Sequence, residues 1–110
     1  MLRALGKITP TPGTPIQVTS LIAGAQASEP CHGVMIQARK GNVGVAYVGN
    51  SAMSRAAETG LFAQLAIPTA NTIPSFTAAL TLAPNAINLA DLWIDVDSNG
   101  DGVIVSVLIA

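Results

Sequence analysis

Apolar residues recur at every second position along most of this 110-residue chain, in short runs broken by proline and glycine. A period of two is the mark of strands with one buried face, since successive side chains on a strand point to opposite sides. Leu2 to Ile8 reads as a first strand, and in a second Ile16, Val18 and Ser20 alternate with Gln17, Thr19 and Leu21. The segment between them, Thr9 to Pro15, holds Pro10, Pro12 and Pro15. It is expected to be extended, because proline fixes φ and biases the residue before it away from helix. Seven such residues reach roughly 20–25 Å, enough for an arm that crosses onto a neighbouring subunit.

Further along, Val34, Ile36 and Ala38 alternate with Met35, Gln37 and Arg39. After Lys40, Gly41 and Asn42 the alternation resumes at Val43, Val45 and Tyr47. This pattern predicts a hairpin whose second strand carries Gly44 and Ala46 on its other face, open to another backbone or subunit. Asn50 to Gly60 has helical composition, with Ser51 placed to cap a turn or two and Gly60 to stop it, and is expected to be a loop insertion. Strands are expected again at Leu61 to Ala66 and where Phe76, Ala78, Leu80 and Leu82 alternate with polar and small residues. Leu92, Ile94 and Val96 then lead through an Asp/Gly turn to Val103, Val105, Val107 and Ile109, a second expected hairpin. About eight short strands with no alternating helical stretches make this an all-β protein. The expectation is one domain over 1–110, an antiparallel β-sandwich whose strand number also suits a jelly roll.

Composition narrows the function. Half of the residues are hydrophobic and only 10% are charged, with a formal net charge of -1. Disorder needs the opposite balance. The five basic residues, Arg3, Lys7, Arg39, Lys40 and Arg55, are spread along the chain, so no nucleic-acid partner is expected. A single cysteine excludes an intrachain disulfide and a single histidine excludes multi-histidine metal sites. The longest strongly apolar stretch, Val103 to Ala110, is interrupted by Ser106 and falls far short of the roughly 20 residues of a membrane span. The Thr/Pro segment after Arg3 and Lys7 also fails as the apolar core of a signal peptide. Cytoplasmic synthesis is therefore expected, and the unpaired Cys31 agrees with a reducing compartment. A neutral surface rich in alanine, threonine and glycine suits contact with other subunits.

The run DVDSNGDG places Asp95, Asp97, Asn99 and Asp101 like the first half of an EF-hand calcium loop. The second half departs from that pattern: Gly102 stands where an aliphatic residue belongs and Ser106 where the closing glutamate belongs. Asp, Asn and Gly are also what a tight turn selects, and a turn is the expectation here, with no metal. Asp95 and Asp97 on one strand face would have Cα atoms roughly 6.5–7 Å apart. They lack the apolar enclosure that would protonate one of them for glycosidase chemistry. Cys31 and His32, as strand neighbours, would point to opposite faces and could not form a nucleophile and base pair. Trp93 is expected to anchor a core or an interface, with sugar stacking as its functional alternative. No catalytic residue, cofactor or metal ligand is expected.

The stretches GVMIQARKGNVGVAYVGNSAM and LADLWIDVDSNGDGVIVSVLIA, which together make up about two fifths of the chain, resemble small structural proteins of tailed bacteriophages. These are encoded near the major capsid protein and act as head decoration or cement proteins. In that group an amphipathic strand leads through a Gly/Asn turn into a segment like VYVG, and an aspartate-rich turn precedes a final valine-rich strand. The resemblance implies a non-enzymatic virion protein on the capsid exterior, assembled in the host cytoplasm. It further implies the major capsid protein as partner and a homo-oligomer, for which a trimer is expected. A tail, neck or fibre protein remains open, as does a small carbohydrate- or calcium-binding module built on Trp93 and the acidic turn.

Overall fold

In a computed structural model, described here for residues 2–21, 33–79 and 88–108, the period-two pattern resolves into eight strands and no α-helix. They are β1 (Leu2–Ile8), β2 (Ile16–Gln17), β3 (Gly33–Ala38), β4 (Ala46–Ser54), β5 (Thr59–Leu65), β6 (Ser75–Ala79), β7 (Trp93–Val96) and β8 (Val103–Leu108). Two antiparallel four-stranded sheets result, in the orders β1-β8-β3-β6 and β2-β7-β4-β5. First pairs with last, second with seventh, third with sixth and fourth with fifth, as in one long hairpin folded over on itself. The expected antiparallel sandwich is formed.

The core lies between the sheets. Val103, Val105 and Val107 of β8 and Val34, Ile36 and Ala38 of β3 face Ile94 and Val96 of β7 and Ala46 and Val48 of β4. All are essentially inaccessible to water. Burial of each larger aliphatic side chain contributes on the order of 1.5–3 kcal/mol. These residues form one hydrophobic cluster, and the radius of gyration is 13.3 Å, that of a compact chain of this length.

Both expected hairpins are corrected by this topology. β3 and β4 lie in different sheets, as do β7 and β8, so the Lys40–Asn42 and Asp97–Gly102 segments are crossovers from one sheet to the other. Among the described residues the one true hairpin joins β4 to β5, where a helical insertion is expected from composition. Asn50 to Ser54 continue β4, and the chain turns at residues 55–58, with Glu58 at φ 55° and Gly60 at φ 66°. Pairing with β5 outweighs the modest helix preference of Ser, Ala and Met.

The second expected strand is also shortened: only Ile16–Gln17 pair with β7, and Val18–Leu21 form a 3₁₀ turn whose Val18 N–H donates to the Leu92 carbonyl. Thr9–Pro15 is not an extended arm. It turns back at residues 12–13, with the Thr14 N–H donating to the Thr11 carbonyl at 2.9 Å, and Pro10 is buried. The segment has to turn because β1 and β2 belong to opposite sheets. Leu80 and Leu82 lie outside the described residues.

Candidate functional site

The crossovers β3–β4 and β7–β8 meet at one end of the sandwich and lock together through side chains that stand in for strand partners. Asn42, almost wholly buried, donates from Nδ2 to the Gly102 carbonyl and accepts the Gly102 N–H on Oδ1, both at 2.9 Å. Asp101, also buried, accepts the Val43 N–H on one carboxylate oxygen at 2.9 Å and the Gly44 N–H on the other at 2.8 Å. Gly44 must approach this closely, since a Cβ there would lie 2.8 Å from the Cβ of Asp97. The expected open Gly44/Ala46 face is thus corrected: both residues are buried, and what Gly44 admits is the chain's own Asp97, Ser98 and Asp101 side chains. Because both Asp101 oxygens accept from N–H groups, Asp101→Asn should turn an amide N–H toward a backbone donor. We expect it to lose about 1–3 kcal/mol of stability in urea titration, nearly as much as Asp101→Ala.

The other two aspartates bind the hairpin tip and the β1–β2 turn to the outer face of the second sheet. Asp95, 3% exposed, accepts the Gly13 N–H at 3.0 Å and its neighbour's Val96 N–H at 2.8 Å. Arg55, from the β4–β5 turn, sits between it and Asp97, with Nε 3.5 Å from Asp95 and Nη1 2.8 Å from Asp97. Asp97 also accepts the Tyr47 hydroxyl at 3.0 Å and the Val45 N–H at 3.2 Å. Each carboxylate of the acidic run is therefore engaged by protein donors. No three His, Cys, Asp or Glu side chains among the described residues gather where they could hold a metal ion.

Partial burial by itself would raise the Asp97 carboxyl, but the Tyr47 hydroxyl, the Arg55 guanidinium and the Val45 N–H outweigh it and hold it below the ordinary aspartate value. Burial first, and then the hydrogen bond to Asp97, push the Tyr47 hydroxyl up. The folded state thus favours the Asp97 carboxylate. Its contribution to stability is complete above the unfolded-chain value near pH 4 and fades as pH falls through the lower folded value. In acid denaturation followed from about pH 5 to about pH 2.5, Asp97→Asn should show a shallower loss of stability than the parent protein.

A second surface emerges only from the topology. Strand register puts three rows of side chains on the outer face of the first sheet: Leu2, Leu108 and Gly33; Ala4, Ser106, Met35 and Thr77; Lys7, Ile104, Gln37 and Ser75. Leu2 is 76% exposed, and Met35, Ile104 and Leu108 are each above 40%. At one end this face runs into a cleft of about 650 Å³ lined by Lys7, Arg39, Lys40, Gln37, Ile73 and Ile104 among others. Three of the five basic residues of the chain share that cleft. None of the three is in an ion pair among the described residues, whereas Arg55, on the other side, is neutralised by two aspartates.

Comparison with protein-family models, with curated proteins and with solved structures returned no match. The reading of the site therefore stands on geometry. Sequence spacing does not reveal the cationic cleft, because Lys7 lies 32 positions before Arg39. Only the placement of β8 between β1 and β3 brings them together. Trp93 is half-buried on the outer face of the second sheet rather than in the core. Cys31 and His32 lie outside the described residues.

Proposed function

We propose that this protein is a virion structural protein of the capsid decoration type, seated on the head shell through the outer face of its first sheet. The observation that carries this reading is the character of that face: exposed Leu2, Leu108, Met35 and Ile104 among small and polar side chains, ending in a cationic cleft, with no acidic residue in the rows. Single exposed apolar residues are ordinary, but four large ones gathered on one sheet face mark an interaction surface. The partner it fits is an apolar protein surface with an acidic margin, at the junction of capsid subunits.

The nested strand pairing supports a jelly-roll reading of the sandwich, an architecture used by many capsid and lectin domains. It supports the class of molecule, while the face supports the role. Stabilisation would work by mass action: a ligand that binds only the assembled lattice lowers the free energy of that state, and repetition over many symmetric sites multiplies the effect. A homo-oligomer, for which we favour a trimer, would present several such faces at once. No catalytic step is assigned to it.

Particles purified by density gradient from cells that make this protein provide the test. The chain should co-sediment with intact heads in a copy number set by the symmetry sites of the shell. It should leave the heads as salt rises, since the cationic cleft is screened over a Debye length of about 10 Å at 0.1 M. A few copies confined to the tail or neck, or none on particles, would overturn the reading.

A further inference from the structure

The outer face of the second sheet, opposite the cationic cleft, holds an open cleft of about 250 Å³ lined by Trp93, Phe62, Asn50, Ser51, Ala90 and Asp91. Strand register builds it. Trp93 of β7 pairs with Gly49 of β4, which in turn pairs with Leu61 of β5. The register shifts there, Val48 opposing Ala63 and Gly49 opposing Leu61, so Phe62 is an extra residue at a bulge. It is 52% exposed, a costly position for a phenylalanine with no partner. Trp93 and Phe62 are two strand spacings apart, about 9–10 Å, and the cleft opens between them beside Asn50 and Ser51. Gly49 on the middle strand carries no side chain into it, because Met53 and the Gly60 carbonyl already lie where a Cβ would point.

The polar wall of the cleft is held in place. Asn50 Oδ1 accepts the Ala52 N–H at 2.9 Å. The 3₁₀ turn that carries Ala90 and Asp91 is capped by Asn88, whose side chain accepts the Ala90 N–H. Gln17, the β2 partner of Trp93, pins the same turn by donating to the Ala90 carbonyl at 2.8 Å. The exposed Asp91 therefore stands at a fixed place on the rim.

We infer that this cleft binds a saccharide through a single pyranose ring. Such a ring has a less polar face of C–H bonds, which is attracted to the electron-rich face of an aromatic side chain, and a belt of hydroxyls. Asn50, Ser51 and Asp91 offer donors and acceptors for that belt. The cleft is just smaller than the roughly 300–1,000 Å³ of sites that enclose drug-sized ligands, which suits one ring rather than a chain of them. Nucleic acid fits poorly, since the lining contains a carboxylate and no lysine or arginine. A proline-rich peptide needs a groove lined by aromatics along its length, and this cleft is closed at one side by the Leu89–Asp91 turn. The inference does not depend on the docking role of the other face.

Trp93 is the only tryptophan in the chain, so its emission reports on this cleft directly. Intact purified protein would be titrated with glucose, galactose, mannose and N-acetylglucosamine and with short oligosaccharides of each. At least one sugar should give a saturable change in emission with a Kd on the order of 1 mM. Phe62→Ala and Asp91→Ala, both at exposed positions, should each weaken binding by about tenfold or more while the circular dichroism spectrum and unfolding midpoint stay unchanged. Ala57→Glu, at the tip of the β4–β5 hairpin and outside the cleft, should bind normally. No saturable change with any sugar would overturn the inference, as would unweakened binding in both variants. Saturation by a proline-rich peptide or an oligonucleotide in place of every sugar would overturn it too.

Discussion

Gly102→Ala should destabilise the protein by about 3 kcal/mol, lowering its thermal midpoint by on the order of 10 °C. Gly102 is buried where the β7–β8 crossover passes under the end of β1, and an added Cβ would overlap the carbonyl oxygen of Ile8 and crowd the Thr9 methyl. Neither side can yield cheaply. Moving Ile8 outward would pull it from its pairing with Val103 and from the core. Moving Gly102 inward would break its two bonds to the Asn42 side chain and the bond its carbonyl accepts from the Arg39 N–H. Each of these is worth about 1 kcal/mol, and more if a buried group is left unpaired. Gly41→Ala is the matched control, because a Cβ at Gly41 meets nothing within 4 Å, and it should change stability by less than about 0.5 kcal/mol. Equal effects of the two substitutions in urea titration would show that Gly102 is not clamped as described.

Much of the fold is legible in the sequence at the level of single strands, because burial of one face imposes the alternation that marks them. Val103, Val105 and Val107 face inward in β8 and Val34, Ile36 and Ala38 face inward in β3, as their spacing requires. Partnership between strands is a different matter. Lys40-Gly41-Asn42 and Asp97 to Gly102 have the composition of hairpin turns, yet each carries the chain between sheets. Local turn chemistry specifies a change of direction and leaves open which sheet receives the next strand. Asn42 and Asp101 settle that locally by bonding each crossover to the other, Asn42 to Gly102 and Asp101 to Val43 and Gly44, across 57 to 60 positions of sequence. The β4–β5 hairpin escapes prediction for another reason. Ser51, Ala52 and Met53 have no strong strand preference, and what holds them extended is pairing and the burial of Met53.

The candidate surfaces show the same division. The acidic run reads as a turn, and each of its aspartates is spent on N–H groups or on Arg55. The cationic cleft and the Trp93/Phe62 cleft each join residues from strands that are distant in the chain and flank one common strand in the sheet. Spacing carries no trace of either. A basic residue count that looks dispersed along the sequence becomes a concentration once β1 and β3 flank β8.

Reversing two charges at the cationic cleft should produce the largest effect on assembly. Lys7 and Lys40 are exposed and outside any ion pair among the described residues, so Lys7→Glu/Lys40→Glu should change folding stability by less than about 1 kcal/mol. On a shell with an acidic margin the two new carboxylates would meet like charge, a repulsion of several kcal/mol at an interface. Loss of shell binding by about 100-fold or more is expected at low salt, shrinking as salt rises. Met35→Glu probes the same face differently. Met35 lies in the middle row beside Ser106 and Thr77, so a carboxylate there would have to be desolvated on docking. Its binding defect should persist at high salt, where the double lysine variant recovers. Ala57→Glu, on the hairpin that covers the other sheet, should leave occupancy unchanged. If the lysine and Met35 variants both decorated particles as fully as the parent, the first sheet would not be the docking face. If only Met35→Glu failed, the exposed apolar residues of the face would hold the shell and the cleft would have another use.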